Sequence, residues 1–406
     1  MHARARIVRG AAAIGLAAGL VGLGAGPTLA TQGATVYVSM VAGGGGCGNA
    51  AYTTIGDAIA AAPAGATVIV CAGTYKEGVV VDKALTLVGE HATIDATGHD
   101  NGVQVLASHV TVRGFMVTGA TGEGILVGYL PGAPGAMPVS HVTIRDDTVV
   151  KNDLGNPTSA PIFDSPYAQC NATPMPAPAP AIPGDCGEGI HLLSVTDSTV
   201  THDRVSGNSG GILLTDENGP TSGNVISQNV VVGNLYDCGI TLAGHDIAAV
   251  GGIHDNRIIG NRVIGNGVKG EGGGVLLASP VPGDPATYGT GGAVFDNLVA
   301  GNYLAGNGLA GVTVHSHAPG QDLEGNVVRD NIIGTNNLDG DSDFYPLVDP
   351  STTGVIVASV APLTITIEHN VIMHDHFGIW LTPGVTASGT SSNHFAHVTT
   401  PIKVAS

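Results

Sequence analysis

The chain has 406 residues, of which 11% are charged, and its 14 Lys and Arg stand against 32 Asp and Glu for a formal net charge of −18. So acidic a surface repels nucleic acid and anionic membranes, which excludes both as partners. Charge well below the usual quarter, with 63 glycines, fits buried strands joined by tight turns.

Residues 1–30 read as a secretory signal. Arg4, Arg6 and Arg9 come first, an Ala/Gly/Leu run follows, and Thr28-Leu-Ala30 offers a small-residue cleavage site. The run is short for a bilayer span, so the expectation is a secreted, extracellular protein with no membrane insertion after cleavage. Removing the three arginines with this segment leaves 11 Lys and Arg against 32 acids, a formal charge of −21. No other stretch has membrane length, and the mean hydropathy of +0.27 reflects a buried core.

Residues 31–406 read as one domain, of which 31–95 form a cap and the first coils. Thr35 to Ser39 is a strand, and Thr54-Ile-Gly-Asp-Ala-Ile-Ala-Ala-Ala62 is a short amphipathic helix with Ile55, Ala58, Ile59 and Ala62 on one side. It is placed to plug the open end of a core. Strands follow at 67–71, 78–81 and 85–88.

From residue 102 one phrase recurs nine times. It runs Gly102-Val-Gln-Val, Gly124-Ile-Leu-Val, Gly189-Ile-His-Leu, Gly211-Ile-Leu-Leu, Gly239-Ile-Thr-Leu, Gly274-Val-Leu-Leu, Gly311-Val-Thr-Val, Gly354-Val-Ile-Val and Gly378-Ile-Trp-Leu. The alternating apolar positions predict strands with one buried face and one free face, the free face carrying His191, Thr215 and Thr241. Between copies lie Asn- and Gly-punctuated strands such as Asn224-Val-Ile-Ser-Gln-Asn-Val-Val-Val-Gly-Asn234, bent through left-handed backbone. Copies at Gly102 and Gly124, and at Gly189 and Gly211, are 22 residues apart. Such a period means a solenoid. A leucine-rich repeat fails for want of a Leu-x-x-Leu-x-Leu frame and a helix in each turn, and no hexapeptide period survives. An all-β, right-handed parallel β-helix of about 22-residue coils with inserted loops remains.

Three loops interrupt the coils: the Pro-rich stretch 151–187, then 280–292 and 336–353. Of the five cysteines, Cys47 is expected to pair with Cys71 and Cys170 with Cys186, leaving Cys238 free beside the groove. Cys186 and Cys238 precede strands two coils apart, about 9 to 10 Å, beyond disulfide reach.

The opening Thr54-Ile-x-x-Ala-Ile-x-x-Ala-x-x-Gly-x-Thr67, Gly73-Thr-Tyr-Lys-Glu-x-Val-x-Val and Leu85-x-Leu-x-Gly89 resembles that of many pectin-lyase-like right-handed β-helix proteins. That superfamily holds lyases, glycoside hydrolases, esterases and epimerases. The later Asn/Gly strands resemble the repeats of copper-accessory proteins of nitrous oxide reductase. The resemblance implies the fold across nearly all of the mature chain and leaves activity open. The paired aspartates, Gly-His-Gly and Arg-x-Lys of polygalacturonases do not occur as a set. The Asp-Phe-Ile-Phe-Gly stretch of pectinesterases is also missing.

Aligned on their glycines, equivalent residues stack about 4.8 Å apart. Glu123 and Glu188 then precede glycine in consecutive coils, and Asp237 lies one residue earlier two coils beyond Glu188. His191 faces outward, Asp216 and Glu217 end the next strand, and His245 ends the one after. Each acid alone reads equally well as a turn residue bonding local backbone. Together they suggest general acid and base catalysis of glycoside hydrolysis. Glu188, shielded by the returning loop, would be the acid, Asp237 or Asp216 the base, and His191 a group that touches the sugar or tunes the acid. Glu123, Glu217, His245, His315 and His317 would bind substrate. A two-coil gap near 9.5 Å between Glu188 and Asp237 would suit inversion.

A Ca²⁺-dependent lyase needs a base plus a cation to neutralise a uronate, and Lys269 and Arg204 fall off the glycine-opened strands. The acids could instead hold Ca²⁺, as could Asp339, Asp341 and Asp343. His315-x-His317 and His374-x-His376 have a spacing that can chelate Zn²⁺ or Cu²⁺, though solvated histidines explain it as well. The sequence therefore points to a monomeric hydrolase of extracellular polysaccharide, on a neutral or weakly charged glycan. The alternatives are a non-catalytic glycan- or metal-binding surface protein and a Ca²⁺-dependent lyase.

Overall fold

A computed structural model describes residues 33–41, 47, 50–130, 133–152, 188–244, 251–269, 272–279, 292–338, 340 and 351–405. The signal segment, Cys170, Cys186, His245, Asp339, Asp341, Asp343 and nearly all of the Pro-rich loop lie outside these residues.

From Ala34 onward the strands stack in parallel into three sheets. The first has 11 strands and contains all nine glycine-opened copies, including Ile125–Val127, Glu188–Leu193, Gly210–Thr215 and Ile240–Ala243. The second has 21 strands, supplied mostly two to a coil, as with Thr199–Thr201 and Arg204–Ser206. The third is a short ladder of 5 strands. Register holds from coil to coil: Ile190, Ile212, Ile240 and Val275 are successive partners, as are Leu192, Leu214, Leu242 and Leu277. All eight are fully buried in one core running from Val38 to Leu381. Each contributes roughly 1.5 to 3 kcal/mol.

Coils bend where a left-handed residue precedes a buried polar side chain, most often an Asn amide. Asp197, Asp255 and Asp296 (φ 49 to 55°) stand before Ser198, Asn256 and Asn297, and Asp146, His202 and Asp330 (φ 55 to 60°) stand before Asp147, Asp203 and Asn331. The amides form ladders along the solenoid. From Asn229 through Asn261, Asn302, Asn331 and Asn370 to Asn393, each Oδ1 accepts from the backbone N–H of the preceding ladder residue at 2.8 to 3.0 Å. Parallel ladders run from Asn152 to Asp375 and from Asn224 to Asn326. Asn is the residue here because its side chain both accepts and donates, so the stack satisfies its own buried groups.

The cap forms as the sequence predicts. Helix Ile55–Ala61 is N-capped by Thr54, whose Oγ1 accepts from the Asp57 N–H at 3.2 Å, and it buries Ile55, Ala58 and Ile59. Cys47 and Cys71 form a disulfide with Cα atoms 5.7 Å apart. Cys238 is buried and free of any disulfide. At the other end, strand Thr400–Val404 carries Pro401 and Lys403, residues that blunt an open sheet edge. Among the described residues no helix is long and apolar enough to cross a membrane.

Candidate functional site

The glycine that opens each copy of the first sheet sits where that sheet closes on the ladder. A Cβ on Gly189 would press on Val205 and come within 2.8 Å of Asn208 Nδ2. Glu188, directly before it, stacks on Gly210 of the next coil. Because Gly210 has no side chain, its neighbours lean into the vacancy: Glu188 Oε1 lies 2.8 Å and Asp237 Cβ 3.1 Å from where a Gly210 Cβ would be. The two side chains thus share one small gap. The two-coil offset expected from rung counting holds, Gly210 lying on the coil between Glu188 and Asp237, and the Glu188 side chain reaches into that middle coil.

Behind this pair lies a hydrogen-bonded relay. Glu123 Oε1 is 3.0 Å from His191 Nδ1, and His191 Nε2 is 2.8 Å from Thr215 Oγ1. Thr215 is fixed in turn, its backbone carbonyl accepting from Thr221 Oγ1. Among the described residues Glu123 Oε2 has no hydrogen-bond partner. The expectation that His191 lies on a free face is wrong. It is 0% exposed, and strand Glu188–Leu193 is buried on both faces. Its stacking neighbours Leu126 and Leu213 are large and apolar, so they enclose the imidazole along the axis. With both ring nitrogens engaged, His191 orients Glu123 and Thr215 and has no atom left for a sugar.

The other expected residues separate. Asp216 and Glu217 follow Thr215 at the far end of strand Gly210–Thr215, roughly 20 Å along the strand from the Glu188 level. Aligning coils along the axis had hidden that distance across the sheet. Asp216 is therefore not the base for Glu188, and Glu217 is not beside it. His315 is buried four coils from His191. The strand carrying it, Val312–Ser316, stops before His317. The two rings meet edge to face at 5.5 Å, and His317 Nδ1 contacts Ser279 O at 2.5 Å. His374 is left-handed (φ 62°) and stacks on His397, while His376 packs on Phe377, so these two do not share a strand face either. Among the described residues no group of three or more His, Cys, Asp or Glu is placed to hold a metal ion.

One feature escaped the sequence reading. A cleft of about 230 Å³ lies between coils, lined by Tyr129, Met137, Pro138, Leu193, Asn218 and Pro220 among others. Asn218 Nδ2 donates to Tyr129 O at 2.6 Å and ties its two walls together. Its signal was Gly128-Tyr129 and Asn218-Gly-Pro220 just past the ends of strands on either side of Glu188–Leu193, where loops rather than ladders carry binding groups.

These features define a parallel β-solenoid with a buried polar cluster on one sheet. The chain belongs to the right-handed β-helix family: the model described as "Right handed beta helix region" matches residues 77–279. No curated protein matches it. Among solved structures it is similar to the Dettilon tailspike protein, at 14% identity over 84% of this chain and 62% of that one (TM-score 0.51). It is also similar to the Streptococcus pneumoniae surface protein and adhesin PfbA, at 14% over 86% and 94% (TM-score 0.49). A third likeness is to an alginate lyase from Paenibacillus sp. str. FPU-7, at 12% over 87% and 96% (TM-score 0.44). Likeness at this identity is one of fold.

Proposed function

We propose that the chain is an exported glycoside hydrolase in which Glu188 and Asp237 act across the gap at Gly210. The observation that carries this reading is that, in a charge-poor solenoid, the Glu188 carboxylate and the Asp237 Cβ both lie against one glycine. In this reading Asp237 is the nucleophile, which requires a carboxyl separation of about 5 to 5.5 Å in the working enzyme. Glu188 protonates the departing glycosidic oxygen as Asp237 bonds to the anomeric carbon. Glu188 then takes a proton from water, whose oxygen displaces Asp237. The Cys238 N–H donates to Asp237 Oδ1 and holds it in place. The Glu123–His191–Thr215 relay positions the wall behind. Export follows from residues 1–30, and an extracellular polysaccharide is the substrate class, as the superfamily resemblance suggests.

A second reading, a non-catalytic glycan-binding protein, is favoured by the burial of Glu188 and Asp237, 1% and 4% exposed. One experiment separates the two. Purified protein and Glu188→Gln are screened on a glycan panel for reducing ends, for absorbance of unsaturated products and for the anomer released. Hydrolysis with retained configuration, lowered by a factor on the order of 10² or more in Glu188→Gln, supports the proposal. Unsaturated products would replace it with elimination, and binding without turnover establishes the second reading.

A further inference from the structure

Beyond residue 9 the chain has six arginines, Arg113, Arg145, Arg204, Arg257, Arg262 and Arg329. Every one lies in a strand of the second sheet. In each of these strands the alternate residue, such as Val112, Ile144, Val205, Ile258, Val263 or Val328, is in the core, so the arginines stand on the outer face. On so acidic a chain this is a strong segregation of positive charge.

The face is also clear of acids where it matters. Over four consecutive coils, from strands Thr199–Thr201 and Arg204–Ser206 to strands Leu298–Ala300 and Tyr303–Ala305, the outward strand positions hold Arg204, Arg257, Arg262 and Tyr303. The remaining outward positions are Thr, Ser, Val, Ile, Leu and Ala, with no carboxylate. Acids occur at the margins: Asp197, Asp255 and Asp296 stand exposed at the bends that lead into these strands, Asp255 held by His254 at 2.8 Å, while Asp146 pairs with Arg145 at 2.6 Å, Asp330 pairs with Arg329 at 3.3 Å, and Glu368 stacks beside Arg329. Arg204, Arg257 and Arg262 have no ion pair among the described residues.

One column of this face is a track. Partner by partner it runs Arg204, Val230, Arg262, Tyr303, Ile332, with Arg204 and Arg262 two rungs apart, about 9 to 10 Å. The Arg262 guanidinium sits 4.9 Å from the Tyr303 ring centroid. Tyr303 and Ile332 are 37% and 44% exposed, so the apolar rungs are open to solvent. Guanidinium forks alternating with flat apolar rungs fit a chain that repeats a carboxylate and a ring face. A second copy placed face to face would set arginine against arginine. An anionic membrane would call for about four or more clustered Lys and Arg, and these four coils present Arg204, Arg257 and Arg262 alone at their outward strand positions.

We infer that the outer face of the second sheet binds a linear carboxylated polysaccharide lying along the solenoid axis. This surface is separate from the Glu188 gap, which lies on the first sheet. The test is binding of the full chain to soluble polygalacturonate at low and physiological salt. Dextran, anionic phosphatidylserine vesicles and single-stranded DNA are compared, with parent, the triple variant Arg204→Gln/Arg257→Gln/Arg262→Gln, Glu188→Gln, and Lys83→Gln/Lys403→Gln. Expected are salt-sensitive binding to polygalacturonate and not to dextran, weakened on the order of tenfold or more in the triple variant. The other two variants should bind as the parent does, with melting unchanged throughout. Equal binding by the triple variant overturns the inference. So does a preference for vesicles or DNA, and so does an absence of polygalacturonate binding at low salt. Loss of binding in Glu188→Gln would instead place the glycan in the catalytic gap, whereas an inactive protein that still binds through the arginines leaves this inference standing and removes the hydrolytic one.

Discussion

Two stacks of buried polar groups run along this solenoid, and they are built differently. In the ladder from Asn229 to Asn393 each amide gives its Nδ2 protons and takes others at Oδ1, so every rung is completed by the next. In the first sheet the polar groups at the opening of successive strands are Glu123 and Glu188, and ionised carboxylates only accept. A stack of amides is therefore self-sufficient, and a stack of acids needs donors from elsewhere. His191 supplies one to Glu123. The ladders carry structure, and the acid stack carries the candidate chemistry.

The comparison breaks most completely if the core common to both stacks is lost. Leu214→Asp, beneath the first sheet, should prevent folding, because an unpaired buried carboxylate costs several kcal/mol. A soluble, protease-resistant, β-rich mutant would contradict the register described above. Next in size is Asn261→Ala in mid-ladder. It strips the bonds to Asn229, Asn302 and Ile226 O and should lower stability by roughly 3 kcal/mol, measured by urea unfolding.

Asp203 sharpens the comparison, because it puts an acid in an amide position. Its Oδ1 accepts from the Asp147 N–H at 2.7 Å, and its Oδ2 has no hydrogen-bond partner among the described residues. Burial raises its pKa from 3.8 to about 7, and burial with the adjacent Asp203 raises Asp147 as well. A protonated Oδ2 can donate as Nδ2 does. Since the folded value lies above the unfolded one, the folded state keeps a proton that the unfolded chain has released between pH 3.8 and about 7. Stability is full below that window, falls as pH rises through it and levels off above. Asp203→Asn should raise the unfolding midpoint at pH 8, leave it nearly unchanged at pH 4, and flatten the slope to the part owed to Asp147. An unaltered pH profile would mean that the proton is not held there. The smallest effect is expected for Thr215→Val, which removes one bond from His191. It should cost about 1 kcal/mol and, if the relay positions the gap, shift the pH profile of activity more than the affinity for glycan.

Much of the fold was legible because it rests on local chemistry that repeats. Glycine before alternating Ile and Leu, Asn at most bends and Thr54 ahead of a short apolar stripe each decide their own neighbourhood, and stacking multiplies the decision. The pairing of Cys47 with Cys71 was legible for the same reason. The membership of the site was not. Counting rungs placed Glu123 and Glu188 on consecutive levels with Asp237 two beyond, and it also gathered Asp216 with them, although a full strand lies between. It left His191 on an open face that Leu126 and Leu213 close. Nor did the sequence reading gather the six arginines, which are scattered over more than two hundred residues and meet only because each coil returns to the same sheet. The sequence by itself determined the period, the core stripe and the bends, since these depend on residues a few positions apart. Only the tertiary structure decided which polar groups converge, because that depends on side-chain reach and on position across a sheet, neither of which a one-dimensional period records.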